Sequence, residues 1–135
     1  MKKNLVILLA VVTYLYVTTT CATMLEPETG DYYHDQHIAD LTEKIRLDPN
    51  SWLGYALRGN AYKSKGDYDQ AIADYTEAIR LDPNWAYAYN KRGFAYERKG
   101  NYKQAIKDYE TALRLAPNSI NYKESLENAL RQQKR

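Results

Sequence analysis

The chain has 135 residues, a length that suits one domain, with 44% hydrophobic and 27% charged residues and an unusual 14 tyrosines against 1 phenylalanine. Its formal charge of +2 comes from Lys2 and Lys3, and beyond residue 22 there are 17 basic residues against 17 acidic ones. That balance lacks the clustered cations that phosphate contacts need, so nucleic acid is excluded as a partner.

At the N-terminus, Met1-Lys2-Lys3 is followed by an apolar run from Leu5 to Val17 and then by Thr18-Thr19-Thr20-Cys21-Ala22-Thr23. A positive start, an apolar middle and small residues at the end are the order of a secretory signal. Residues 1–22 are expected to be a signal peptide cleaved after Ala22, which exports the chain to a periplasmic or extracellular space. The alternative is a retained membrane anchor over residues 4–22. No charge lies between Lys3 and Glu26, and about 20 apolar residues span a bilayer, with Lys2 and Lys3 on the cytoplasmic side. Cys21 is the only cysteine, so no internal disulfide forms. Its place after an apolar run is similar to the lipid-bearing cysteine of bacterial lipoproteins, although Thr18 to Thr20 depart from the usual Leu and Gly or Ala. Residues 23–32 read as a linker, with Pro27 and Gly30 as breakers.

From there the chain repeats itself at a period of 34 residues. Residues 66–84 and 100–118 are identical at 12 of 19 positions, and residues 35–50 match 69–84 at 13 of 16. A fixed period of this length marks a stacked helical array. Spacings of three and four put Tyr55, Arg58, Gly59 and Tyr62 on one helical face, and Tyr89, Arg92, Gly93 and Tyr96 on another. The spacing predicts helices over 33–47, 52–65, 68–81, 86–99, 102–115 and 119–132. Gly66 and Gly100 end helices, each after a lysine, and Asp67 and Asn101 cap the next. Pro49, Pro83 and Pro117 close the second helices. Gly59 and Gly93 fall in mid-helix, where the missing side chain admits a close neighbour; each otherwise costs about 1 kcal/mol against Ala.

Tyr55-x2-Arg58-Gly59-x2-Tyr62, Ala71-x3-Tyr75 and Pro83, repeated as Tyr89-x2-Arg92-Gly93-x2-Tyr96, Ala105-x3-Tyr109 and Pro117, resemble the tetratricopeptide pattern Trp-x2-Leu-Gly-x2-Tyr, Ala-x3-Phe, Pro. Arginine stands where the pattern has leucine. The resemblance implies an all-α superhelix of antiparallel helix pairs in a short solenoid: a half unit at 33–50, full units at 51–84 and 85–118, and a capping helix at 119–135. Ala71, Ala78, Ala105 and Ala112 are expected at close contacts, with Tyr62, Ile72, Tyr75 and Ile79 filling the space between helices. Asp74, Glu77 and Arg80, like Asp108, Glu110 and Arg114, are expected on a solvated face. In the cap, Ile120, Tyr122, Leu126, Ala129 and Leu130 form the apolar side.

The same resemblance implies a concave groove lined by the first helix of each unit. By position its partner-binding residues are Leu53, Ala56, Asn60 and Lys63, then Tyr87, Asn90, Lys91, Phe94 and Glu97, with Asn121 and Glu124 from the cap. Its occupant is a protein or peptide. Some members of the family clamp the C-terminal carboxylate of heat-shock chaperones with basic residues and asparagines. Here Asn60 fits that set, but Ala56, Lys91, Asn121 and Ser125 do not. Helix 33–47 carries His37 and Lys44 where the other units have alanine, so its open side is either solvated, covered by residues 24–33, or paired with a second copy as a homo-oligomer. His34 and His37 lie three apart beside Asp35 without a third ligand at a zinc spacing. No G-x-S-x-G motif or phosphate-binding loop occurs. The expectation is a non-enzymatic chain without metal or cofactor, touching a membrane only through its N-terminal segment.

Overall fold

The computed structural model describes residues 29–135. Among them lie α1 (Thr29–Leu47), α2 (Trp52–Lys65), α3 (Tyr68–Leu81), α4 (Ala86–Arg98), α5 (Tyr102–Leu115) and α6 (Ile120–Gln133), and no strand. The expected signal, anchor and start of the linker fall in residues 1–28, outside the described residues. The end of that linker is corrected: α1 begins at Thr29 rather than 33, so Gly30 is helical and breaks nothing. In this first turn Tyr32 and Tyr33 are exposed. The packed array is His34–Arg135.

Local chemistry sets the remaining boundaries. The side chains of Ser51, Asp67 and Asn101 accept from the backbone N–H of Gly54, Gln70 and Gln104, satisfying donors that the first turn leaves open. Ser119 does the same for Tyr122, which places it before α6 rather than in it. Gly66 and Gly100 have φ of +85° and +76°, a conformation that costs other residues a Cβ clash. There the chain reverses between α2 and α3, and between α4 and α5.

Each helix pair closes on one contact. A Cβ built on Gly59 would lie 2.9 Å from Cε1 of Tyr75, and one on Gly93 2.9 Å from Cε1 of Tyr109. The tyrosine rings therefore lie flat against glycine backbone, and both rings are buried together with Ala71, Ala78, Ala105 and Ala112. Across the junctions, α2 touches α4 and α4 touches α6, whereas α3 does not touch α5. The first helices are thus the inner row of a curved stack and the second helices the outer row.

The arginines in the leucine positions overturn one expectation. Asp74 and Asp108, predicted on a solvated face, are only 5% and 6% exposed. Arg58 holds Asp74 through two bonds of 2.8 and 2.7 Å, and Arg92 holds Asp108 through two of 2.8 Å. Each guanidinium also donates at 3.1 Å to a threonine of the preceding outer helix, Thr42 or Thr76. Lys65 and Lys99 pair with Asp35 and Asp69 of the same outer helices. This ladder has the 34-residue period and stitches each unit to the one before.

The ladder stops in α6. Leu126 stands 34 residues after Arg92, and Glu127 stands where Gly59 and Gly93 admit a ring. The cap is shallower than predicted. Ala129 joins Ala105, Ile106 and Tyr109 in the core, with Leu126 packed against it. Ile120 and Leu130 are 72% and 38% exposed.

The fork between Arg58 and Asp74 yields a two-part prediction. Asp74→Ala orphans a partly buried guanidinium and should destabilise the fold by about 1–3 kcal/mol. Arg58→Leu with Asp74→Leu exchanges the pair for apolar contact and should return to within about 1 kcal/mol of the parent. Urea unfolding followed by circular dichroism measures both; a double variant as weak as Asp74→Ala contradicts the exchange.

Candidate functional site

On the inner row, Leu53, Leu57, Asn60 and Lys63 follow one another along α2 at helical spacing, and Tyr87, Asn90, Lys91, Phe94 and Glu97 along α4. Leu53, Leu57 and Phe94 are 46%, 41% and 39% exposed. Large apolar side chains left open along one concave wall make a surface suited to a partner. Leu57 was not anticipated from the sequence, although its place four residues after Leu53 was the signal for it. Ala56 is a correction: at 1% exposure it packs with Ala78 and Ala88 beneath the wall. Its methyl is needed there because Trp85 and Tyr55 close over the same cluster. Asn121 and Glu124 are exposed on α6.

Two inner residues serve the fold as well. Tyr75 is buried, so its hydroxyl must find an acceptor, and it donates to Oδ1 of Asn60 at 2.8 Å. Nδ2 of Asn60 donates in turn to the Tyr87 hydroxyl at 3.2 Å. One amide thereby ties α2, α3 and α4. In the next unit Phe94 occupies the position of Asn60 and offers no acceptor, so the Tyr109 hydroxyl donates to Oε2 of Glu97 at 2.7 Å instead. Burial pushes both phenols well above the ordinary tyrosine range; Tyr87 and Asp74 add to this for Tyr75, and the bond to Glu97 adds to it for Tyr109. Beyond Asn60, Tyr87 leans on Trp85 at 5.0 Å and Trp85 meets Trp52 edge-on at 4.5 Å. These tryptophans carry no repeat register, since they stand 33 residues apart rather than 34. Where the C-terminal ends of α4 and α6 part, an open cleft of about 290 Å³ is lined by Glu97, Arg98, Tyr102 and Gln132.

A TPR repeat model matches residues 59–100, and a tetratricopeptide repeat model matches residues 86–119. The chain is a tetratricopeptide-repeat protein. Solved structures agree. The first TPR of Spaghetti (RPAP3), bound to the HSP90 peptide SRMEEVD, superposes with a TM-score of 0.73 at 26% identity, over 80% of this chain and 90% of that one. The second TPR domain of human RPAP3, in complex with the HSP70 peptide SGPTIEEVD, gives 0.69 at 29% identity, over 76% and 89%. The Arabidopsis OM64 TPR domain gives 0.71 at 28% identity, over 75% and 84%. Among curated proteins none matches.

Elsewhere in this TPR protein, His34 is half-buried and His37 exposed, and among the described residues no group of three or more potential metal ligands forms. No helix among the described residues is long and apolar enough to cross a membrane.

The Asn60 tie can be tested directly. Asn60→Leu leaves the buried Tyr75 hydroxyl without an acceptor and should cost about 1–3 kcal/mol in thermal unfolding. Combining it with Tyr75→Phe, which removes the orphaned group, should recover most of that loss.

Proposed function

We propose that this TPR protein is a non-catalytic interaction module that binds a peptide or protein segment along its inner row, and that its N-terminal segment exports it or attaches it to a membrane. The observation that carries the binding reading is the exposed wall of Leu53, Leu57 and Phe94 beside the half-buried Asn90. Rings and branched chains of this kind anchor partner side chains, and amides bond an extended backbone. That RPAP3 domains of the same fold were solved with chaperone peptides supports a peptide as occupant. The delivery reading rests on the order of Lys2-Lys3, the apolar run and the small residues around Ala22.

Peptides selected on the full chain from a random library should bind a Phe94→Ala, Asn90→Ala variant about tenfold more weakly or worse, with helical signal and melting unchanged. Undiminished binding would place the site off the inner row. N-terminal sequencing of the native chain checks delivery: a start at Thr23 is expected from an exported chain, and an intact N-terminus in the membrane fraction from an anchored one. An intact chain in the cytosol would reject both.

A further inference from the structure

We propose that the groove's occupant is an internal acidic segment, whose Asp or Glu side chains settle between Lys63 and Lys91 while an apolar residue rests on Phe94. This goes one step beyond the groove reading above and depends on it.

The first support is charge. The cations at the unit junctions are answered by carboxylates: Arg58 by Asp74, Arg92 by Asp108, Lys65 by Asp35 and Lys99 by Asp69. On the inner row this stops. Lys63 and Lys91 are both half-buried, and neither forms an ion pair among the described residues. The Lys91 ammonium instead lies 4.9 Å above the Tyr87 ring. The bond between Asn60 and Tyr87 sets the register of α2 against α4. Both helices run the same way, and Lys63 and Lys91 follow Asn60 and Tyr87 by about one helical turn each. Each is a cation on a partly desolvated surface without a carboxylate partner among the described residues, and an anionic side chain of a bound segment would answer it. Glu97 lies farther along α4 and is bonded to Tyr109.

The second support concerns the kind of anion. A chain terminus would need amide donors and a further base. The Asn60 amide is already engaged on both its atoms, by Tyr75 and Tyr87, and Ala56 is buried. Asn90, in contrast, makes no side-chain hydrogen bond among the described residues, which leaves it for the backbone amide of an extended segment. With Asn90 pairing a backbone amide, Lys63 and Lys91 are left for the side-chain carboxylates of a running chain.

Fluorescence anisotropy on the full chain tests this with acetylated, amidated peptides of alternating Leu and Glu or alternating Leu and Gln, plus the Leu–Glu peptide with a free C-terminus. The Leu–Glu peptide should bind about tenfold tighter than its Leu–Gln counterpart. The advantage should shrink as salt rises and vanish in Lys63→Gln with Lys91→Gln. Freeing the C-terminus should change little. Equal binding of the two capped peptides, an unmoved double-lysine variant, or binding only with a free C-terminus would overturn the proposal. If the Leu–Gln peptide binds as well and Phe94→Ala removes it, the acidic segment falls while the groove stands. If neither capped peptide binds, or Phe94→Ala is neutral, both fall.

Discussion

The fold depends on a tyrosine ring laid against a glycine. Tyr75 on Gly59, and Tyr109 on Gly93, set how closely the two helices of a unit approach. A methyl at either glycine would meet the ring at 2.9 Å, inside the distance at which packed carbons attract. The family pattern has phenylalanine in the ring position. A tyrosine there brings a hydroxyl into the interior, and a buried hydroxyl must be answered. The two units answer it differently, with Asn60 in one and Glu97 in the other. The departure of Phe94 from Asn60 is therefore also a rearrangement of the core, and the exposed ring is available to the groove only because Glu97 takes over the hydroxyl.

Charge is sorted in the same way. Along the outer helices and the unit junctions, arginines and lysines find acids at the repeat period. Such pairs contribute little net stability, since desolvation offsets attraction. They do discriminate between registers, because sliding one unit against the next would leave each fork facing a wrong neighbour. On the inner row, where no outer helix arrives, Lys63 and Lys91 form no ion pair among the described residues. The surface is neutral by count and uneven by place.

α6 departs from the repeat by the same rules. Glu127 in the glycine position excludes a further ring, and Leu126 in the arginine position excludes a further fork. α6 can pack against α5 and α4 but cannot accept an outer helix in the way α2 and α4 do. Ile120 stands exposed at the start of α6.

Much of this was legible in the residues. The period of 34, the glycine and proline stops, the Ser, Asp and Asn caps and the alanine contacts are local signals, and the helices α2, α3 and α5 fall within the spans that those signals predict. Membership of the inner row was also legible, for Leu53, Asn60, Lys63, Tyr87, Lys91 and Phe94 stand at helical spacing on the first helix of a unit. Which of these side chains remains free was not. Asp74 reads as a surface acid in company with Glu77 and Arg80, and only Arg58, sixteen residues away in sequence, draws it inside. Ala56 reads as groove and is core. Asn60 reads as a ligand-binding amide and is held by two tyrosines. The sequence by itself determined the elements, their order and their period, because helix propensity, caps and spacing act over a few residues. Only the tertiary structure decided which polar groups are spent inside and which are left for a partner, because hydrogen bonds and ion pairs between helices depend on how closely the helices approach, and here the glycines under the tyrosine rings set that approach.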